Sequence, residues 1–192
     1  MSRSGADAVG ALLLTPGAGG DRDHHTLVAI EEAVAPLPVD RLDFPYRREG
    51  RKAPDRAPKL VAAVVEAAGE LTRRTGVAPE RVVLGGRSMG GRICSMAVAE
   101  GLASKGLVLI SYPLHQPGRP ERLRVEHFPR LNLPCLFISG TRDPFGTPEE
   151  LTASVEAIPG PVTIEWVEGA RHDLAGVDET ITARVRAWLR SI

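Results

Sequence analysis

The feature that most constrains this chain is a regular alternation along its length. Apolar runs of four to six residues are separated by longer segments whose apolar residues recur with a helical period. Parallel strands need long crossover connections and are buried on both faces, so the pattern is typical of an α/β fold: a parallel sheet with helices on both sides. With 192 residues the chain is long enough for one substantial core, and we predict a single domain over residues 1–192.

The alternation predicts six strands, at residues 9–14, 39–44, 81–84, 107–110, 135–138 and 162–167. Helices are predicted at 24–35, from 60 to a glycine cap at 76, from 89 to about 103, from a capping box at 147 to about 159, and from about 178 onward. The proline-rich stretches 45–58 and 112–132 are predicted to be loops.

The segment Gly86-Arg87-Ser88-Met89-Gly90 lies where the third predicted strand meets a helix. In this G-x-S-x-G pattern the serine occupies a strained, sharp strand-to-helix turn, so the residues two positions away must lack bulky side chains. The turn exposes the hydroxyl and places it at the positive end of a helix. We therefore predict that Ser88 is a nucleophile. The alternative is an ordinary turn serine that caps the helix.

Two later residues complete a candidate catalytic triad. Asp143 follows the fifth predicted strand and His172 the sixth, in the chain order Ser, Asp, His that accompanies this motif. We expect all three at the rim formed by the carboxyl ends of the strands. His172 would accept the Ser88 proton, and Asp143 would hold the histidine tautomer. The alternatives are Asp173 or Asp178 as the acid, and a structural role for Asp143 or His172.

The loop at residues 15–20 follows the first strand, where one backbone donor to an oxyanion is expected. We predict that Ala18 supplies this N–H, with Gly17 as the alternative. The second donor is predicted to be the N–H of Met89, immediately after the nucleophile.

Other polar residues admit functional interpretations. The segment 21–25, Asp-Arg-Asp-His-His, resembles a set of metal ligands, but acids at a helix start are explained by the helix dipole. We therefore predict no metal site. For Arg87 we favour pairing with a structural carboxylate, and the alternative is contact with an anionic substrate group. His115 and His127 are predicted to be solvated.

Three segments together resemble one known family: the elbow at 86–90, Phe44-Pro45-Tyr46 with Gly-Arg-Lys-Ala-Pro at 50–54, and Gly-Thr-Arg-Asp-Pro-Phe-Gly at 140–146. The chain resembles small α/β-hydrolases of the dienelactone-hydrolase-like branch, which includes testis-expressed and nonspecific-lethal-complex subunit homologues. The resemblance implies a minimal α/β-hydrolase fold with a six-stranded parallel sheet, helices on both faces and no lid domain. It also implies Ser88, Asp143 and His172 as the triad.

The resemblance implies no particular substrate, and some eukaryotic members of this family serve as subunits of complexes. Where many α/β-hydrolases have His-Gly in the oxyanion loop, this chain has Pro16-Gly17, so the side-chain support of that loop differs. Dienelactone hydrolases use a cysteine nucleophile, and the serine at position 88 does not imply their particular chemistry.

We therefore expect a carboxylesterase-like serine hydrolase that cleaves an ester, thioester or related acyl bond of a small molecule through an acyl-serine, without a metal or organic cofactor. The alternatives are a catalytically silent interaction module, or an acyltransferase or peptidase with the same triad.

Because the net charge is zero and no long apolar run is present in the sequence, we expect that the protein binds neither nucleic acid nor membranes. The start lacks a secretory apolar segment, and Cys94 and Cys135 are predicted to be buried thiols, so a cytoplasmic location is expected. The oligomeric state is left open.

Overall fold

The computed structural model describes residues 8–192. Its strands are β1 (Ala11–Thr15), β2 (Val39–Arg41), β3 (Val82–Arg87), β4 (Gly106–Ile110), β5 (Cys135–Gly140) and β6 (Val162–Val167). Its helices are α1 (His25–Val34), α2 (Pro45–Arg48), α3 (Ala57–Thr75), α4 (Met89–Ala99), α5 (Pro148–Val155) and α6 (Asp178–Leu189), with short 3-10 turns at Pro79–Arg81 and Phe128–Arg130.

All six strands are parallel and form one sheet in the order β2-β1-β3-β4-β5-β6. Successive side chains of a strand point to opposite faces, so each central strand contributes to two apolar clusters. One cluster packs the sheet against α1 and α6, and the other against α3, α4 and α5. The predicted six-stranded parallel sheet with helices on both faces is therefore confirmed. Within residues 8–192 no helix is both long and apolar enough to span a bilayer.

Several predicted boundaries are corrected. The first strand starts at Ala11 rather than residue 9, and the predicted loop 45–58 contains α2 and the start of α3. Both helices carry proline in their first turn, where no backbone donor is lost. The helix after Ser88 ends at Ala99 because Gly101, at φ 109°, leaves the helical region. The predicted left-handed cap at Gly76 and the capping box at Thr147 are both present.

The connection at residues 112–132 contains only a 3-10 turn, yet much of it is buried. Tyr112 and Phe128 pack on Phe137 of β5, with ring centroids 5.8 and 6.1 Å away. The prediction that His115 and His127 are solvated is wrong, because each is 5% exposed. The apolar residues between the prolines draw this connection onto the sheet, and both histidines are buried with it.

Each of these histidines has polar partners. His115 Nε2 lies 3.2 Å from Glu150 Oε2, and His127 Nε2 lies 2.7 Å from Ser95 Oγ. Burial, with a further contribution from the nearby Arg92 cation, lowers the pKa of His127 to about 4. His127 is therefore neutral at pH 7.

The two cysteines are buried and form no disulfide with each other, as predicted. Burial raises the pKa of both Cys94 and Cys135 to about 12. Thiols that stay protonated and shielded from solvent are poor nucleophiles, so neither cysteine is expected to react readily.

Candidate active site

Ser88 lies between the end of β3 and the start of α4 with φ 51° and ψ −118°. Its N–H donates to the carbonyl of Ile110 on β4 at 2.8 Å, which fixes the turn against the neighbouring strand. A Cβ atom at Gly86 would lie 2.0 Å from Thr15 Oγ1, and one at Gly90 would lie 2.4 Å from the same atom. The two glycines are therefore required because the end of β1 passes directly against the elbow.

The structure brings Ser88, His172 and Asp143 into one hydrogen-bonded chain. His172 Nε2 lies 2.9 Å from Ser88 Oγ. His172 Nδ1 lies 2.8 and 3.0 Å from the two carboxylate oxygens of Asp143. A carboxylate accepts, so Nδ1 carries the proton of the neutral ring and Nε2 is left to accept from the serine hydroxyl.

Asp143 is itself held in place. Its side chain is 2% exposed, and its Oδ1 accepts the N–H of Phe145 at 2.8 Å. Neither alternative acid reaches His172: Asp173 is exposed, and Asp178 contacts His25 Nδ1 and the hydroxyl of Thr26. Asp143 is therefore the carboxylate positioned to act on His172.

Two further contacts hold His172 itself, which lies in the loop between β6 and α6. The ring of Phe145 stacks on the imidazole with a centroid separation of 4.0 Å and an interplanar angle of 29°. Arg87 Nη2 donates to the backbone carbonyl of His172 at 2.9 Å. No role was predicted for Phe145 from the sequence, although it belongs to the segment 140–146 that carries the family resemblance.

The loop at residues 17–20 lies beside the nucleophile, since a Cβ at Gly17 would be 3.6 Å from Ser88 Cβ. The carbonyl of Gly17 accepts the N–H of Gly20, so the N–H of Ala18, on the other side of the same peptide plane, points away from that turn. The buried Tyr46 donates its hydroxyl to the carbonyl of Ala18 at 2.8 Å. Tyr46 thus supplies side-chain support from a distant segment, which the sequence did not predict.

A cavity of about 330 Å³ opens over these groups. It is lined by Ser88, His172, Arg87, His24 and the loop 17–20, and no carboxylate of the described residues lines it. A larger cavity of about 420 Å³, between the start of β1 and the end of α6, has no nucleophile or general base among its described lining residues.

Met89, the second predicted oxyanion donor, starts α4 directly after Ser88. The first N–H groups of a helix have no partner within the helix, so the N–H of Met89 is available to a ligand.

His24 is a cavity residue that the sequence associated only with a metal. Its Nδ1 accepts the N–H of Thr26 and caps α1, while His25 contacts Asp178. Over residues 8–192 no group of three or more His, Cys, Asp or Glu side chains could hold a metal ion. Burial, followed by the nearby Arg87 cation, lowers the pKa of His24, so the ring is neutral at pH 7.

The favoured interpretation of Arg87 is corrected by its contacts. Among the described residues no carboxylate lies within ion-pair distance of its guanidinium, and the hydrogen bond from Nη2 goes to a backbone carbonyl instead. Asp173, Asp143 and Asp178 attract it only from longer range, and burial lowers its pKa.

A parallel sheet with a half-buried serine at a strand-to-helix turn, and a histidine and an acid at the same rim, is typical of an α/β-hydrolase. The sequence agrees, since residues 8–187 match the family described as "Alpha/beta hydrolase domain". The chain belongs to this family. The expected fold class is confirmed, and a hydrolase is the class of enzyme that the family supports.

Solved structures share this fold over almost the whole chain. A protein described as an alpha-beta serine hydrolase homologue from Coxiella burnetii is 17% identical, with a TM-score of 0.75 over 95% of this chain and 86% of its own. Est1E from Butyrivibrio proteoclasticus is 14% identical, with a TM-score of 0.75 over 100% and 91%. A dienelactone hydrolase from Anabaena variabilis is 19% identical, with a TM-score of 0.75 over 96% and 87%. At these identities the likeness shows the fold.

Proposed function

We propose that this protein is a serine hydrolase that cleaves a small ester, thioester or related acyl bond through an acyl-serine intermediate. The observation that carries the proposal is the continuous hydrogen-bonded chain from Asp143 through His172 Nδ1 and Nε2 to Ser88 Oγ. Each member lies where its role requires: a fixed acid, a ring with an accepting Nε2, and a hydroxyl facing a cavity.

In the proposed reaction, Ser88 Oγ attacks the acyl carbon while His172 Nε2 takes the hydroxyl proton. The carbonyl oxygen becomes an oxyanion, which accepts hydrogen bonds from the N–H groups of Ala18 and Met89. The carbon–oxygen or carbon–sulfur bond to the leaving group then breaks, and His172 returns the proton to it. A water molecule repeats the sequence on the acyl-enzyme and releases the acid and free Ser88.

The finer classification is also a proposal. We infer that the chain belongs to the dienelactone-hydrolase-like branch with the testis-expressed and nonspecific-lethal-complex subunit homologues, on the basis of the segments 44–46, 50–54 and 140–146. We propose a single-domain, cytoplasmic, carboxylesterase-like enzyme without nucleic-acid or membrane partners. The net charge of zero supports the absence of a nucleic-acid partner.

The geometry of the site argues against one of the alternative functions and is compatible with the others. A silent interaction module has no need for the aligned donors and acceptors at Ser88 and His172, which argues against it. An acyltransferase or peptidase would use the same chain of hydrogen bonds. We favour hydrolysis because the cavity is open, so water reaches an acyl-serine directly.

Labelling with a fluorophosphonate, followed by peptide mass spectrometry, tests the proposal. We expect one adduct per chain, on Ser88, because that hydroxyl is the activated one. Ser95 provides a matched control: its Oγ also contacts a histidine, His127, but it is fully buried, so Ser95→Ala should label like the parent protein. A folded protein that does not react, or that reacts elsewhere, would overturn the proposal.

A further inference from the structure

Arg87 uses little of its hydrogen-bonding capacity within the protein. Nη2 donates to the carbonyl of His172, while Nε is buried and has no partner among the described residues. Nη1 takes part in no hydrogen bond with residues 8–192 and is not among their buried unpartnered atoms, so it faces the cavity. Holding a partly desolvated cation in this way is costly unless a further partner arrives.

The unused edge of the guanidinium faces the nucleophile. Arg87 Nη1 and Ser88 Cβ lie 3.7 and 3.6 Å from one point, the position that a Cβ at Gly17 would occupy. Glycine leaves that point empty, so the space between the cation and the serine belongs to the cavity. A group bound to Nη1 would sit within a few bond lengths of the carbon that Ser88 attacks.

The remaining walls of the cavity suit an anion. His24 accepts the Thr26 N–H at Nδ1, so its neutral ring carries the proton on Nε2 and can only donate there. No described lining residue is acidic. Of the carboxylates that act on Arg87, Asp173 is exposed and does not line the cavity. Asp143 is engaged by His172, and Asp178 by His25 and Thr26.

We propose that the cavity selects esters carrying a carboxylate close to the scissile carbonyl, and that Arg87 is the cation that binds this carboxylate. The inference rests on the proposed serine hydrolase and names its substrate class. A guanidinium pairs with a planar carboxylate through parallel N–H donors, a geometry that an ammonium cannot match. The volume of about 330 Å³ is at the small end for ligand sites and suits short monoesters of diacids.

Two pairs of nearly isosteric substrates test the selection, each pair differing in one charge. Ethyl hydrogen succinate is compared with ethyl succinamate, which places the carboxylate on the acyl side. Acetoxyacetate, the acetate ester of glycolate, is compared with acetoxyacetamide, which places the carboxylate on the leaving group. Hydrolysis is followed in a pH-stat at pH 7.5, and kcat/KM is divided by the hydroxide-catalysed rate of each ester. We expect the normalised kcat/KM of the charged member to be at least about tenfold higher in one pair or both, because hydrogen bonds to charged groups stabilise a complex by about that factor or more.

Three variants test whether Arg87 causes the preference for the charged substrate. Arg87→Met keeps the buried stem but removes every donor, and should reduce the charged-to-neutral ratio of kcat/KM to about one. Arg87→Lys should retain only part of the ratio. Arg171→Met removes a neighbouring exposed cation outside the cavity and should leave the ratio unchanged. Loss of the tether to His172 lowers the rates of both members of a pair, so the ratio isolates binding of the carboxylate.

The outcomes separate the two proposals. If Ser88→Ala hydrolyses these esters as well as the parent protein, the proposed function is wrong. If hydrolysis depends on Ser88 but neither pair shows a preference for the charged member, the substrate assignment alone is wrong. The same holds if a preference survives in Arg87→Met or disappears in Arg171→Met.

Discussion

At the scale of single residues, Ser88 has an uncommon backbone, a positive φ that only Ser111 and Leu174 share among the described residues other than glycine. A φ of 51° is uncommon for a residue with a side chain, and here it is held by the hydrogen bond to Ile110 and by the close approach of Thr15 to the two flanking glycines. Such strain persists only where the surroundings enforce it, and it is concentrated at functional sites.

Ser88→Ala keeps this backbone but removes the hydroxyl. We expect kcat/KM to fall by roughly a factor of a million, as in comparable triads, because no other group can form the acyl-enzyme. The free energy of unfolding should stay within about 1 kcal/mol or rise, since the strained position loses a polar group. Ester hydrolysis and urea denaturation measure the two effects. Esterase activity equal to that of the parent protein would contradict the nucleophile assignment.

His127 provides a prediction on pH and stability. Its pKa is about 4 in the folded protein against an ordinary 6.5, so between these values the unfolded chain binds a proton that the folded chain does not. Stability is therefore lost as the pH falls. This group alone should lower the free energy of unfolding by about 2 kcal/mol between pH 7 and pH 5.

Urea denaturation of the parent protein and of His127→Gln at both pH values tests this expectation. Glutamine keeps an N–H that can reach Ser95 but does not titrate. The variant should be less stable at pH 7 yet lose about 2 kcal/mol less on acidification. Equal losses in the two proteins would show that His127 is not the group that titrates.

Some residues of the candidate site could be predicted from the sequence, and others could not, for a physical reason. Ser88, Asp143 and His172 could be proposed because each follows a strand at a fixed place, which local spacing reveals. Tyr46 reaches Ala18 across 28 positions of sequence, and no local pattern records that contact. The partner of Arg87 was missed likewise, because it is a backbone carbonyl brought in by another loop.

At the scale of elements, the elbow and the end of β1 form one packed unit. Gly90→Ala would place a Cβ 2.4 Å from Thr15 Oγ1 and 2.5 Å from the carbonyl of Pro16, and backbone cannot give way cheaply. We expect a loss of at least about 2 kcal/mol in the free energy of unfolding. We also expect a lower kcat, because Pro16 directly precedes the loop at residues 17–20, which carries the proposed oxyanion donor Ala18. Thermal unfolding and ester hydrolysis measure both.

Gly69→Ala is the matched control for this change. Gly69 lies within α3, and the nearest atom to an added Cβ is Arg73 Nη1 at 3.7 Å, an ordinary contact. Alanine there should raise the free energy of unfolding by about 0.5–1 kcal/mol and leave kcat unchanged. Equal behaviour of the two variants would mean that the elbow is not as tightly packed as its contacts indicate.

Long helices and strands were predicted better from the sequence than short elements. Each long helix and each strand except the three-residue β2 has enough residues for its period to be visible, and six predicted strands correspond to the six in the sheet. The four-residue helix at Pro45–Arg48 is too short to show a period, and its proline favours a loop interpretation. The burial of His115 and His127 depends on how the connection 112–132 folds back, which composition alone does not determine.

At the scale of the whole molecule, the connection at residues 112–132 contributes no residue to the described lining of the cavity at Ser88. It contains no helix beyond a 3-10 turn over its described length, and its apolar rings pack downward onto β5. Little of it is left to cover a long acyl chain. We therefore expect rates on p-nitrophenyl esters to decline from acetate towards palmitate, with no jump when the ester exceeds its solubility. A marked rise with chain length, or activation on an emulsion, would show that the connection acts as a lid.

Arg87 also restricts how the enzyme can change. The residue is adjacent in sequence to Ser88, and its Nη2 bond to the His172 carbonyl is one of the contacts that hold His172, beside those of Asp143 and Phe145. A substitution of Arg87 that broadened what the cavity accepts would also remove one contact that holds His172 and slow every substrate. Under the assignment that we propose for Arg87, selectivity and rate are thus linked through one side chain. A directed-evolution route to new substrates would have to restore the lost tether elsewhere before, or together with, any replacement of Arg87.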